Sequence, residues 1–265
     1  MTINYLDSKR LQGLSTDTRP TNVQTNSTFE ETDTAVRYWY DGSTWKTKSF
    51  FTDTFSNGSN WTVINGVTFN GSVATLTANP ANATVEKGAY RDLGNIFNKP
   101  WTLDFSHTRT AFTMYTGYYP CSMFIGISNT NRSPMNGSFG TGKNSFGFLW
   151  GMSGGGINES MSIAGSVNNN AVEFLAMDIV PDGVITLNTT FYYRISRTSP
   201  TNIRYSISST NAYTKNILGD TNLTITNHTD LKYLWIQSDH SGSATPYDAI
   251  NIGTVDNMSL YAGVF

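Results

Sequence analysis

Trp101-Thr102-Leu103-Asp104-Phe105 sets three large apolar side chains at alternate positions. Successive side chains of a strand point to opposite faces, so Trp101, Leu103 and Phe105 share one face, with Thr102 and Asp104 on the other. Phe146, Phe148 and Trp150 repeat the period, and Met161, Ile163 and Val167 follow it. Phe191, Tyr193 and Ile195 lead into Ile203, Tyr205 and Ile207 across a five-residue connection, Thr198 to Asn202. Tyr233 to Gln237 and Val255 to Ala262 supply the last strands. No segment keeps a 3.6-residue apolar stripe for three turns, and β-branched and aromatic residues are abundant. The expected fold is all-β, a two-sheet antiparallel sandwich.

Two blocks are expected, residues 1–48 and 49–265. The first contains the aromatic patch Arg37-Tyr38-Trp39-Tyr40-Asp41-Gly42-Ser43-Thr44-Trp45-Lys46, where Asp41-Gly42 predicts a β-hairpin because Gly tolerates positive φ. The rest of that block reads as an irregular leader. It is too small to fold alone, so it is expected to dock on the main domain, on sister subunits or on a larger particle.

Composition narrows the function. A net charge of −2, with no run of basic residues longer than Lys9-Arg10, gives no electrostatic footprint for nucleic acid. No run of about 18 apolar residues could insert into a membrane as a helix. The single cysteine, Cys121, excludes an internal disulfide and a thiolate metal cluster. Met1 to Arg10 lacks the basic start and apolar stretch of a secretory signal peptide, while the Asn, Ser, Thr and Gly richness suits an extracellular surface. Asn-x-Ser/Thr triplets recur from Asn26 to Asn257; a glycan coat is one reading, and chance in a chain so rich in Asn, Ser and Thr is the favoured one.

Phe51-Thr52-Asp53-Thr54-Phe55, Asn60-Trp61-Thr62, Tyr90-Arg91-Asp92-Leu93-Gly94, Trp101 to Phe105 and Val255-Asp256-Asn257-Met258-Ser259-Leu260-Tyr261 resemble the concanavalin A-like, laminin-G-like jelly rolls over about 50–265. That resemblance implies carbohydrate or protein binding and often a structural calcium ion. The leader, with Leu11-Gln12-Gly13-Leu14-Ser15 and Tyr38-Trp39-Tyr40-Asp41-Gly42, is similar to N-terminal segments of structural proteins of marine archaeal and phage-like viruses. It implies attachment to a virion. The expectation is therefore a non-enzymatic virion surface protein, either capsid decoration or host-adhesion component. It would be homo-oligomeric, joined to other virion subunits through residues 1–48, and would meet a host-surface glycan. The alternatives are a cellular extracellular carbohydrate-binding module and a polysaccharide-degrading enzyme.

Candidate site residues are few. Asp53 lies in phase with Phe51 and Phe55, and Asp256 with Met258 and Leu260, so each carboxylate must be hydrogen-bonded, paired or coordinated. A structural Ca²⁺ shared by Asp53 and Asp256 is one expectation, and hydrogen bonds from loop amides are the other. Tyr115, Tyr118 and Tyr119, in a Gly-containing stretch ending at Pro120, could present rings to a sugar, whereas Trp150 and Trp235 read as core.

Catalytic motifs fail on context. Gly151-Met152-Ser153-Gly154-Gly155 lacks the following helix of a nucleophile elbow. Gly137 to Lys143 runs into a strand and has Asn144 where a phosphate-binding loop needs Ser or Thr. Glu173 and Asp178, five apart, point to opposite faces of a strand, so no carboxylate pair for glycoside hydrolysis is expected.

Overall fold

The computed structural model describes residues 3–7, 9–32, 37–47, 49–78, 87–94, 97, 100–113, 122–132, 134, 144–152, 159–166, 173–176, 179–180, 183–211, 213, 217–225, 228–239 and 250–262. Strands are numbered in chain order. The first five are β1 (Asn4–Asp7), β2 (Arg10–Gly13), β3 (Thr28–Glu31), β4 (Arg37–Tyr40) and β5 (Trp45–Thr47). Then come β6 (Ser49–Asp53), β7 (Thr62–Asn65), β8 (Val67–Phe69), β9 (Ala74–Ala78), β10 (Gly88–Asp92), β11 (Trp101–Thr113), β12 (Ser122–Ser128) and β13 (Ser145–Met152). The last are β14 (Glu159–Ser166), β15 (Glu173–Ala176), β16 (Thr190–Ser199), β17 (Asn202–Ser208), β18 (Ile217–Thr224), β19 (Tyr233–Asp239) and β20 (Ile250–Ala262).

Two sheets form the sandwich. Sheet 1 has the order β18-β17-β16-β11-β20-β9-β8, with β6 also on β20, and sheet 2 has the order β15-β14-β13-β12-β19-β10-β7. The pairings within both are antiparallel. The alternation read at Trp101 holds: Trp101, Leu103 and Phe105 meet Phe146, Phe148 and Trp150 of the other sheet in one core. Trp101 stacks on Phe146 at 5.9 Å, and Phe105 on Tyr193 at 5.2 Å. Offset or edge-on ring pairs of this kind add about 0.5–1.5 kcal/mol each beyond the area they bury. The expected five-residue connection is shorter than read, because β16 runs to Ser199 and β17 begins at Asn202.

The N-terminal block is a five-stranded sheet, β1-β2-β3-β4-β5, instead of a hairpin behind an irregular leader. Its strands are three or four residues long, too short to show a period of two. The Asp41-Gly42 hairpin is present as β4–β5, with Tyr40 opposite Trp45 and Gly42 at φ 102°. Asp41 Oδ1 accepts hydrogen bonds from the Ser43 and Thr44 amides at 2.8 Å, which fixes the turn.

This small sheet docks on the outer face of sheet 1. Glu30 of β3 and Arg37 of β4 are buried, and so are Asp104 of β11 and Arg194 of β16 beneath them. Arg194 grips Asp104 with Nε at 2.8 Å and a terminal nitrogen at 3.1 Å. Arg37 lies 3.3 Å from both Asp104 and Glu30. Of the surfaces on which the leader could dock, the chain's own sandwich is the one it meets here. Burial pushes the Asp104 carboxyl up, to about 7, while Arg37 pulls it down.

Candidate functional site

Sheet 2 is apolar on both faces. Ile125, Ile127, Phe146, Phe148, Leu234 and Ile236 belong to the core, and the alternate residues Phe124, Leu149 and Trp235 form a second cluster on the outer face. Tyr90 and Tyr233, both half-buried, pack against that cluster.

The register explains its shape. Tyr90, Trp235, Gly126, Gly147 and Ala164 stand side by side on β10, β19, β12, β13 and β14. A side chain on Gly126 would collide with the Phe146 carbonyl oxygen, and one on Gly147 with that of Ile125. The two facing glycines let β12 and β13 approach closely; both are buried, and the end of the Phe124 ring lies over Gly126. Half-buried rings lie at the β10–β19 end of this row. Tyr90 lies 5.1 Å from Trp235, and Tyr233 meets Tyr90 edge-on at 5.5 Å. Trp235 is fully buried and donates from Nε1 to the Thr130 carbonyl at 2.9 Å, so it backs the tyrosines instead of offering its own face. Opposite Tyr233 on β10 stands the exposed carboxylate of Asp92. Its Oδ1 accepts from the Gly94 amide at 2.9 Å.

Tyr115, Tyr118 and Tyr119 lie outside the described residues, as do Ser153, Asp178 and residues 137–143. Trp150 is core, as expected. Trp235 is buried as expected but sits in the outer cluster, which the period of two could not distinguish from the core. The missed signal is that Tyr233, Trp235 and Gln237 alternate with Leu234 and Ile236, which marks a strand without a solvent face.

Asp53 and Asp256 come onto adjacent strands, because β6 pairs with β20 and places Asp53 opposite Met258. Asp53 is buried, and its oxygens accept from the Phe55 amide at 2.6 Å, Trp61 Nε1 at 2.9 Å and Arg91 at 3.3 Å. Asp256 accepts from the Asn257 amide at 2.6 Å, and partial burial raises its pKa. Among the described residues no group of three or more His, Cys, Asp or Glu could hold a metal ion.

The buried His107 is a poor general base. Its ring lies 4.6 Å from that of Trp150, and neither nitrogen has a hydrogen-bond partner among the described residues. Burial and the charge of Arg109 lower its pKa to about 3, so it stays neutral at physiological pH. A side chain at Gly253 would strike His107 Nε2, which makes that glycine the space the imidazole occupies.

No family model and no curated protein matches the chain. Solved structures do. The carbohydrate recognition domain of Emp47p superposes with a TM-score of 0.56 at 10% identity, covering 82% of this chain and 96% of that one. The exoplasmic/lumenal domain of VIP36, in a form bound to Ca²⁺ and Man2, gives 0.54 at 8% identity, covering 82% and 89%. Basic winged bean lectin with Tn-antigen gives 0.50 at 13% identity, covering 80% and 97%. At these identities the likeness establishes the fold, a lectin-like jelly-roll sandwich, and nothing finer.

Proposed function

We propose that the chain is a non-enzymatic carbohydrate-binding module whose ligand lies along the outer face of sheet 2. The observation that carries this reading is the pair of half-buried rings, Tyr90 and Tyr233, beside the exposed carboxylate of Asp92. A sugar has an apolar C–H face and a polar rim. Tyrosine rings match the first, and their hydroxyls with the Asp92 carboxylate match the second. Lectins of the same fold support the reading. A glycan array is the test: the wild type should bind, and Tyr90→Ala or Tyr233→Ala should weaken binding at least tenfold, about 1.4 kcal/mol. Undiminished binding by both variants removes this face from the proposal.

The location is extracellular in this reading. The virion-surface form of it asks residues 1–48 to reach sister subunits. Glu30 and Arg37 are engaged with Asp104 and Arg194 instead, which favours the cellular carbohydrate-binding module. Images of purified protein decide: ordered shells or filaments restore the virion setting, and dispersed particles support the module.

A structural Ca²⁺ at Asp53 and Asp256 remains the metal reading. The three donors already on Asp53 favour the hydrogen-bonded alternative. Chelation should therefore leave the thermal midpoint unchanged, and a fall of several degrees would instead support the ion.

A further inference from the structure

The outer face of sheet 1 holds a second feature, away from the Tyr90–Tyr233 face. Beside the ion cluster of Glu30, Arg37, Asp104 and Arg194, on β16, β17 and β18, a cavity of about 130 Å³ opens among Arg194, Ser196, Arg204, Ser206, Tyr213 and Asp220. This is several times the space one water needs. The register places these groups together: Ser196 is opposite Arg204, and Ser206 stands between Arg194 and Asp220.

Its charges are matched. Arg194 is held by Asp104 at 2.8 and 3.1 Å, and Arg204 grips Asp220 at 3.0 and 2.6 Å. An anion would have to break open either of these two-pronged pairs. Hydroxyl groups would not, since a carboxylate keeps lone pairs and a guanidinium keeps N–H donors beyond those used in the pair. Asp220 and Arg204 thus offer an acceptor and a donor side by side, with the hydroxyls of Ser196 and Ser206 behind them.

One wall is set in advance. Tyr213 has φ 55°, a left-handed conformation unfavourable for a bulky residue, and it is nonetheless buried. Its ring is held 4.9 Å from the Arg194 guanidinium and 5.8 Å, edge-on, from Tyr192. Such outliers persist where the surroundings fix them, and a wall already fixed loses little freedom on binding.

We propose that this cavity is a second binding site, for a neutral polyhydroxyl ligand the size of a single sugar residue. The test titrates the full chain with methyl α-mannopyranoside, methyl α-glucopyranoside and, as the anionic probe, glucuronate, followed by calorimetry. Tyr90→Ala serves as the background, so that failure of the sheet 2 reading is seen separately. A neutral glycoside should bind this background, and binding should fall at least tenfold when Asp220→Asn or Ser206→Leu is added. The first change removes the acceptor charge and the second fills the cavity. Should Ser206→Leu fail to fold, Asp220→Asn with an unchanged thermal midpoint decides. The proposal is overturned if no neutral glycoside binds the background, if glucuronate binds more tightly, or if the added substitutions have no effect.

Discussion

The two outer faces of the sandwich were built from opposite materials and reached opposite ends. On sheet 1 the outward residues are polar, Thr102, Asp104, Ser106 and Arg194, yet all are buried. On sheet 2 they are aromatic and small, with Tyr90 and Tyr233 still half-exposed. A polar face became interior because the N-terminal sheet brought charges that match it. An apolar face kept some of its ring surface accessible. The side of a strand that points away from the core is therefore defined by what docks there, and not by whether its residues are polar.

The largest test of this contrast is Asp104→Ala. It takes away a carboxylate that Arg37 and Arg194 share and leaves Glu30 facing two buried guanidinium groups, which costs about 3–5 kcal/mol. Urea unfolding should show the loss. Replacing Glu30, Arg37, Asp104 and Arg194 together with apolar residues of similar volume should restore most of it, since the desolvation cost of all four disappears. On sheet 2, Gly147→Ala should cost about 1–3 kcal/mol by driving β12 and β13 apart. A neutral Gly147→Ala would mean that β12 and β13 can separate there without loss.

Between the faces, His107 gives the core a pH dependence. Its pKa is about 3 folded against an ordinary 6.5, so the unfolded chain takes up a proton first as pH falls. Its contribution is complete above about pH 6.5 and declines toward pH 3, at about 1.4 kcal/mol per pH unit. His107→Gln should flatten the stability profile in that window, as measured by urea midpoints at pH 4, 5 and 6. An unchanged slope would assign the acid sensitivity to carboxylates.

What could be read in the sequence follows from range. Trp101, Leu103 and Phe105 announce their strand because the period of two is local, and Asp53 announces its burial by falling in phase with Phe51 and Phe55. Its partners do not, since Arg91 is 38 residues away and β10 must first be placed. Asp104 reads only as lying on the face away from Trp101, because nothing near it foretells Arg37. Strands β1 to β3 are too short to declare themselves, whereas the Asp41-Gly42 turn announces β4 and β5. Trp235 reads as core for want of any local mark that separates one buried face from the other.

The smallest expected effect sharpens the contrast within sheet 1 itself. Arg204–Asp220 has the same two-pronged geometry as Arg194–Asp104, but the side chains are 51% and 31% exposed against 6% and 3%. Water screens the outer pair and already solvates each partner, so it contributes about 0.2–1 kcal/mol. Asp220→Asn should thus shift the urea midpoint little, whereas Asp104→Asn should shift it severalfold more. Equal losses would mean that cover by the N-terminal sheet is not what separates the two pairs. A small loss at Asp220 would also leave a folded protein in which its removal tests ligand binding alone.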